Sequence, residues 1–172
     1  MSSEPVQNQN VRSGYVQAVR DRTFYLYEGR LTPHRSCGIA LAETFGLPTR
    51  SYQALRRGGL SGLGTCGAAL AGTLVLGEIL GDPDPTGAPT PLLRRAIPRY
   101  REILTELRAR RGDGLSPEAS CNTRVGGYAD FTAPERRGYC TDLAADAAEA
   151  VARTLEELGV PHTLPEGDPA PG

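Results

Sequence analysis

The stretch TCGAALAGTLVLGEIL, residues 65–80, decides the fold. Its apolar side chains lie nearly all the way round a helical wheel, which is typical of a helix in the middle of a bundle. Thr65 is a suitable N-cap, so the pattern predicts a helix over residues 66–80. The segment RRGGLSGLG, residues 56–64, predicts a glycine-rich loop that turns the chain tightly towards Cys66. Small residues would let neighbouring helices approach this one closely: Gly67, Ala68, Ala71 and Gly72.

Two helices are predicted on the N-terminal side of this stretch. Residues 13–28 place apolar side chains at helical spacing, and Gly29 follows them as a terminator. Thr32 and Pro33 form a cap and a first-turn proline, which predicts a second helix over residues 33–45. Cys37 would then lie in the second turn of that helix.

Two more helices are predicted on the C-terminal side. Thr90 and Pro91 again form a cap and a first-turn proline, and Pro98 inside this helix predicts a kink or a break. Thr141 is the predicted cap of a last helix over residues 142–158. The segment between them, residues 111–138, reads as irregular and contains Cys121. No strand of convincing length is present, so we expect an all-α, compact, single-domain bundle of five to six helices.

Composition bounds both the organisation and the function. The 172 residues suit one domain, which we place at residues 13–159, with a disordered tail at residues 1–12 and a flexible tail at residues 160–172. The net charge of −1 predicts no pull towards nucleic acid or anionic membranes. All basic residues are arginines, which excludes lysine chemistry and suggests the coding bias of a GC-rich bacterial genome. With no signal peptide and no apolar run of membrane-spanning length, we expect a cytoplasmic protein without membrane insertion.

Four cysteines are the candidate site residues: Cys37, Cys66, Cys121 and Cys140. No pair forms CxxC, so neither a zinc ribbon nor a thioredoxin motif is present. Cys66 is predicted at the first position of a helix and Cys140 just ahead of another, where the helix dipole stabilises a thiolate. Those two would be the catalytic residues of any thiol redox chemistry. Arginines close in sequence could assist: Arg35, Arg124 and Arg137.

The cysteine segments resemble a known family. SCGIALAETFGLP (36–48), TCGAALAGTLVLG (65–77), SCNTRV (120–125) and GYCTDLAADAAEAVARTLEELG (138–159) look like the redox-active proteins named for the pattern C-GCAxxG-C-C. The resemblance covers about residues 19–159. It departs at Ala71, which stands where the family's CGAxxG motif has glycine, with Gly72 following.

The resemblance implies that the four cysteines share one site, at the end of the bundle where the central and last helices begin. A related segment occurs in a multihaem cytochrome thought to carry an iron–sulfur centre, which favours a [2Fe–2S] over a [4Fe–4S] cluster. The chain lacks a CxxCH haem-attachment motif. The resemblance therefore predicts an electron-transfer protein or oxidoreductase with an unidentified redox partner protein.

Several alternatives remain open from the sequence. Four thiolates suit an iron–sulfur cluster, but they also suit structural zinc, with His34 as a conceivable fourth ligand and His162 as a weaker one. Cluster-free thiol–disulfide exchange would need only two of the cysteines. The cysteines would simply pack in an accessory protein that binds a partner through the helix at residues 66–80. No Ser/His/Asp arrangement, P-loop or dinucleotide motif is present to indicate another enzyme class.

Overall fold

The structure, a computed structural model, describes residues 11–166. It contains no strand within that range, only an isolated bridge between Thr65 and Ser120. The all-α prediction is therefore confirmed. The elements are α1 (Gly14–Glu28), α2 (Cys37–Thr44), a 3₁₀ helix (Arg50–Leu55), α3 (Gly67–Leu80), α4 (Pro91–Arg110), α5 (Cys121–Val125) and α6 (Pro134–Glu157).

Among residues 11–166, every helix is too short or too polar to cross a lipid bilayer. The predicted N-terminal tail, residues 1–12, lies outside the described range apart from its last two residues. Arg12 is one of these, and its Nε pairs with the Glu149 carboxylate on α6 at 2.8 Å.

The caps of α1 and α4 follow the sequence signals. The Ser13 hydroxyl accepts a hydrogen bond from the Val16 N–H at 3.2 Å, and Gly29 closes α1 with a φ of 79°. The Thr90 hydroxyl caps α4 by accepting from the Leu93 N–H at 3.1 Å. Pro98 does not split α4, which continues to Arg110, so the predicted break is wrong. The proline removes one backbone donor, and the packing of the apolar face of α4 outweighs that loss.

Two helix starts and one additional helix correct the sequence reading. The helix predicted from residue 33 begins at Cys37, because residues before it are tied to α1: the Arg35 N–H donates to the Leu26 carbonyl at 2.8 Å. The predicted irregular segment contains α5. The last helix begins at Pro134 rather than at residue 142, with proline in its favoured first-turn position.

The longest helix, α6, packs against α1, α2, α3 and α4. Its middle is rich in alanine, and this lets the neighbouring backbones approach closely. The predicted core helix α3 packs against α2, α4 and α6, but Leu74 on its outer side is 42% exposed. The alanines of α6 that are completely buried are Ala144, Ala145, Ala147, Ala148, Ala150 and Ala152.

The core of the bundle also contains an ionic cluster, which we call the Asp146 network. The Asp146 carboxylate pairs with Arg20 at 2.6 Å and with Arg108 and Arg111 at 2.8 Å each. Glu149, one turn further along α6, is fully buried and pairs with Arg20 at 2.9 Å. Buried charges are costly unless they are paired, and these are paired several times over.

The segment after α6 continues the packed domain beyond residue 159. Val160 and Leu164 pack against the hydrophobic core. The His162 N–H donates to the Tyr15 hydroxyl at 3.1 Å, and its Nε2 lies 2.9 Å from the Phe45 carbonyl oxygen. The flexible tail predicted from residue 160 is therefore anchored in its first part, and residues 167–172 lie outside the described range.

Candidate functional site

The four cysteines come from four separate segments. Cys37 and Cys121 are the first residues of α2 and α5, and Cys66 is the N-cap of α3. Cys140 lies in the second turn of α6, not ahead of a helix as the sequence indicated. The early start of α6 explains this error. Cys140 therefore has no helix N-terminus of its own, and side chains must stabilise any charge on it.

Backbone pairing between the glycine-rich loop and the start of α5 positions Cys66 and Cys121. The Cys66 N–H donates to the Ala119 carbonyl at 3.1 Å, and the Cys121 N–H donates to the Gly64 carbonyl at 3.0 Å. A further bond runs from the Asn122 N–H to the Gly62 carbonyl at 2.9 Å. Two residues that are 55 positions apart (121 − 66) are thus held in register.

Two glycines are required where backbone and cysteines meet. A Cβ on Gly67 would collide with the Leu55 carbonyl oxygen and lie 2.8 Å from the Sγ atom of Cys37. Gly58 has a φ of 59°, and a Cβ there would lie 2.9 Å from the Cβ of Cys121. Side chains at these positions would push the cysteine segments apart, so the glycines permit the convergence.

A cavity of about 310 Å³ lies where these segments meet. Three of the cysteines line it, together with three arginines: Cys37, Cys121, Cys140, Arg56, Arg57 and Arg136. Cys66 is 8% exposed and lies behind this lining, near enough to the other three thiols to influence the ionisation of each. All four cysteines are free thiols.

Burial and mutual repulsion favour the protonated thiols of Cys37, Cys121 and Cys140. Burial, together with the neighbouring Cys66, raises the pKa of Cys37 to about 12, against the effect of the Gly38 N–H. Burial also raises the pKa of Cys121, again reinforced by Cys66 and by Cys140. Several thiolates cannot coexist here without a positive charge among them.

Two side chains donate hydrogen bonds to Cys140. Burial raises its pKa, while hydrogen bonds from Arg136 and from the Tyr27 hydroxyl act in the opposite direction. Arg136 is one helical turn before Cys140 on α6, which explains their contact. Arg57, from the loop before α3, favours the thiolate form of Cys121. The cavity therefore offers donors and positive charge to its sulfur atoms.

The arginines at the site differ from those that sequence proximity indicated. Arg35 pairs with Glu43 at 2.8 Å, and Arg124 is held by Asp113. Arg137 is exposed and lines a different hollow, between α1 and α6. The sequence signal that could have identified Arg136 is Pro134, because proline is typical of a first helical turn. A helix that begins there includes residue 136 and places it one turn, four positions, before Cys140.

Asp113 ties the surroundings of Cys121 and Cys140 together. Its carboxylate accepts hydrogen bonds from the Tyr139 hydroxyl at 2.7 Å, from Arg108 at 3.0 Å and from Arg124 at 3.3 Å. Burial alone would raise the pKa of Asp113, but the bond from Tyr139 and the others outweigh it and lower the pKa. The ends of α4, α5 and α6 are thereby joined beside two of the cysteines.

The residue that departs from the family motif does not line the cavity. Ala71 is fully buried, and its Cβ lies 3.5 Å from the position of a Cβ on Gly38 in α2. The adjacent Gly72 lies against the ring of Tyr100, whose hydroxyl donates to the Ala69 carbonyl at 2.8 Å. In this chain both positions serve helix packing.

The histidines are engaged elsewhere. His34 lines the cavity, but it precedes α2 and its Nδ1 is bonded to the Tyr27 carbonyl, so this nitrogen carries the proton. His162 lies at the Phe45 carbonyl. Within residues 11–166, no three His, Cys, Asp or Glu side chains are grouped to hold one metal ion. The zinc alternative, like the cluster, stays a prediction.

Comparison with known proteins adds no relative. The chain is matched by no protein-family model, by no curated protein sequence and by no solved structure. The resemblance to the C-GCAxxG-C-C proteins therefore stays a prediction that rests on the cysteine segments alone.

Proposed function

We propose that this chain is a redox-active protein whose Cys37, Cys66, Cys121 and Cys140 bind an iron–sulfur cluster for one-electron transfer or sensing. The observation that carries the proposal is the convergence of four cysteines from four separate segments, three of them lining one cavity and Cys66 lying behind it. Four thiolates are the usual protein ligands of such clusters. The lining fits an anionic centre, because its charged side chains are arginines.

Within residues 11–166, no three His, Cys, Asp or Glu side chains are grouped to hold one ion. A cluster asks less of the thiols, because its four ligands are divided between different iron atoms. The preference for [2Fe–2S] comes from the resemblance and remains a prediction.

Thiol–disulfide exchange is the second candidate, with Cys66 and Cys140 as its predicted reactive residues. Its attacking species is a thiolate. The raised pKa values of Cys37, Cys121 and Cys140 favour neutral thiols at pH 7, which makes slow nucleophiles. This electrostatic setting supports the cluster more than it supports exchange.

Side chains of this chain would tune the site. A bound cluster would supply one-electron chemistry. Arg136 and the Tyr27 hydroxyl donate to the Cys140 sulfur, and such hydrogen bonds stabilise added negative charge there. The thiols lose their protons when they bind iron, so binding releases protons and strengthens as pH rises. Phe131 and Leu60, both exposed, also line the cavity.

The test is to measure iron and acid-labile sulfide per chain, with an absorption spectrum, on protein reconstituted without oxygen. We expect iron and sulfide in equal amounts with visible absorption. Cys66→Ser should lose both while keeping the helical circular dichroism spectrum. Thr73→Ser, a half-buried position on the same helix, is the matched control and should keep both.

Two outcomes would count against the proposal. Wild-type protein that stays colourless and free of iron after reconstitution would reject the cluster. Full iron and sulfide in Cys66→Ser would reject the shared site. In the first case, counting free thiols before and after mild oxidation would test the exchange reaction instead.

A further inference from the structure

The arginines that line the cysteine cavity lack carboxylate partners. Within residues 11–166, Arg56, Arg57 and Arg136 form no ion pair, and no acidic residue lines the cavity. The nearby Asp130 carboxylate is held by Thr132, whose N–H and hydroxyl both donate to it at 2.6 Å, and it senses the charge of Arg136 without pairing with it. Three positive charges thus face one small cavity without an ion-paired carboxylate, and this favours an anion inside it.

Arg136 makes the strongest case, because it is only 8% exposed. Its Nε is buried and has no hydrogen-bond partner, and its guanidinium packs 4.1 Å from the centre of the Phe131 ring. Arg124 also has an unbonded Nε, but its other nitrogens bind Asp113 and the Ser116 carbonyl. A buried guanidinium without a carboxylate is costly, so an absent anionic partner would explain it.

Two further features point into the same cavity. The Ser36 hydroxyl lines it and is buried without a partner, although Ser36 is the N-cap of α2. The Arg57 guanidinium packs over the Phe131 ring at 5.0 Å, so Phe131 holds two arginines near each other at the mouth. Like charges repel, and an anion between them would remove that repulsion.

We propose that the mouth of this cavity binds the oxyanion group of a small molecule, through Arg136 and Arg57 with the Ser36 hydroxyl, and presents the rest of the molecule to the cysteines. Anion binding does not depend on the cluster, but the role of the ligand as a redox substrate rests on the proposed function. The volume of about 310 Å³ is at the lower end for ligand pockets and suits a small metabolite. Arg136 contacts both Cys140 and the mouth, so it joins the anion site to the sulfur atoms.

The test compares two alkylating reagents of nearly the same shape on reduced, metal-free protein. Iodoacetate carries a carboxylate, whereas iodoacetamide is neutral. We measure the rate at which each modifies Cys37, Cys121 and Cys140, and divide each rate by that for free cysteine. A charge-assisted hydrogen bond to arginine predicts a preference of about tenfold or more for iodoacetate. Acetate, inorganic phosphate and sulfate are added in turn as competitors, and the strongest identifies the oxyanion class.

Three variants distinguish binding at the cavity from a general effect of the protein's net charge. Arg136→Gln should remove the preference. Arg57→Gln, at an exposed position, should reduce it without changing the free energy of unfolding, which keeps the test valid if Arg136→Gln unfolds. Arg137→Gln changes the net charge equally, outside the cavity, and should leave the preference intact.

Equal relative rates for the two reagents in the wild-type protein would overturn the anion site. So would a preference that survives Arg57→Gln and Arg136→Gln, or that none of the three competitors reduces. Iron and sulfide content is measured separately on portions of the same preparations that have been reconstituted without oxygen. A preference without iron would leave the anion site standing and reject the cluster, whereas iron without a preference would do the reverse.

Discussion

Two buried polar regions of the molecule, both built on α6, differ in how their charges are paired. In the Asp146 network, the carboxylate is bonded to Arg20, Arg108 and Arg111. In the cysteine cavity, Arg136 has no carboxylate and the thiol of Cys140 is held protonated by burial. Six residues separate Asp146 from Cys140, about 9 Å along the helix.

We infer that the difference separates a structural region from the proposed binding region. Paired charges satisfy one another, so removing one partner leaves others buried and destabilises the fold. Unpaired donors around a cavity contribute little to the stability of the chain alone and are instead available to a ligand. We therefore expect substitutions in the network to change stability, and substitutions of cavity side chains to change binding first.

Asp146→Ala should cause the largest loss in the free energy of unfolding. It leaves Arg20, Arg108 and Arg111 without their shared carboxylate, and we expect a loss of about 3–5 kcal/mol in the free energy of unfolding. Urea denaturation measures this. The matched control is Asp142→Ala on the same helix, since Asp142 is 40% exposed and lies 3.7 Å from Arg111. That control should cost no more than about 1 kcal/mol. Similar losses in both variants would contradict a structural role for the network.

Gly67→Ala tests the part of the cavity where backbone packing matters. The added methyl group meets the Leu55 carbonyl and Cys37, and such overpacking costs about 1–3 kcal/mol. We also expect iron retention to fall, because Cys37 must move. Gly77→Ala in the same helix has nothing within 4 Å of its new methyl group and should stabilise α3 by roughly 0.5–1 kcal/mol. A neutral Gly67→Ala would show that the helix starts need not approach so closely.

Tyr139→Phe tests the link between the two regions. It removes the hydroxyl that donates to Asp113 at 2.7 Å and lies 3.1 Å from Arg124. We expect a loss of about 0.5–1.5 kcal/mol in thermal or urea unfolding, together with faster loss of iron to a chelator. Tyr128→Phe, at the ring packed 6.0 Å from Tyr139, is the control. Equal rates of iron loss to the chelator in wild type and Tyr139→Phe would show that Asp113 does not support the cysteine site.

The smallest effect expected near neutral pH is the change in stability that comes from protonation of the buried carboxylates. Burial opposes ionisation of Asp146, but hydrogen bonds from Arg111, Arg20 and Arg108 prevail and lower its pKa. A folded-state pKa below the unfolded value, about 3.9, gives stability that is complete above that value and lost as pH falls through the folded pKa. Metal-free protein should therefore hold its urea midpoint from pH 7 to pH 5 and lose it below pH 4. A midpoint that rises on acidification from pH 4 to pH 3 would contradict this sign.

Local signals predicted the helices well where the determinants are local. Thr90 and Gly29 are predicted caps whose chemistry acts within one turn, and the structure uses both. The predicted start of α2 is wrong because the cap signal at Thr32 and Pro33 competes with a tertiary hydrogen bond. In that bond the Arg35 N–H donates to the carbonyl of Leu26. Cys140 was placed ahead of a helix because Gly138 and the preceding polar residues resemble a loop, yet packing carries α6 through them.

The sequence by itself determined the helical class, the caps at Gly29 and Thr90, and the four cysteines that we propose bind iron, because helical periodicity and thiol chemistry are properties of short segments. Only the tertiary structure decided that Arg57 and Arg136, rather than Arg35, Arg124 and Arg137, face the cysteines. It also decided that α6 holds both Asp146, which is paired with arginines, and Cys140, which lines the cavity. These outcomes depend on contacts between residues far apart in the chain, and such contacts follow from how the faces of the helices pack.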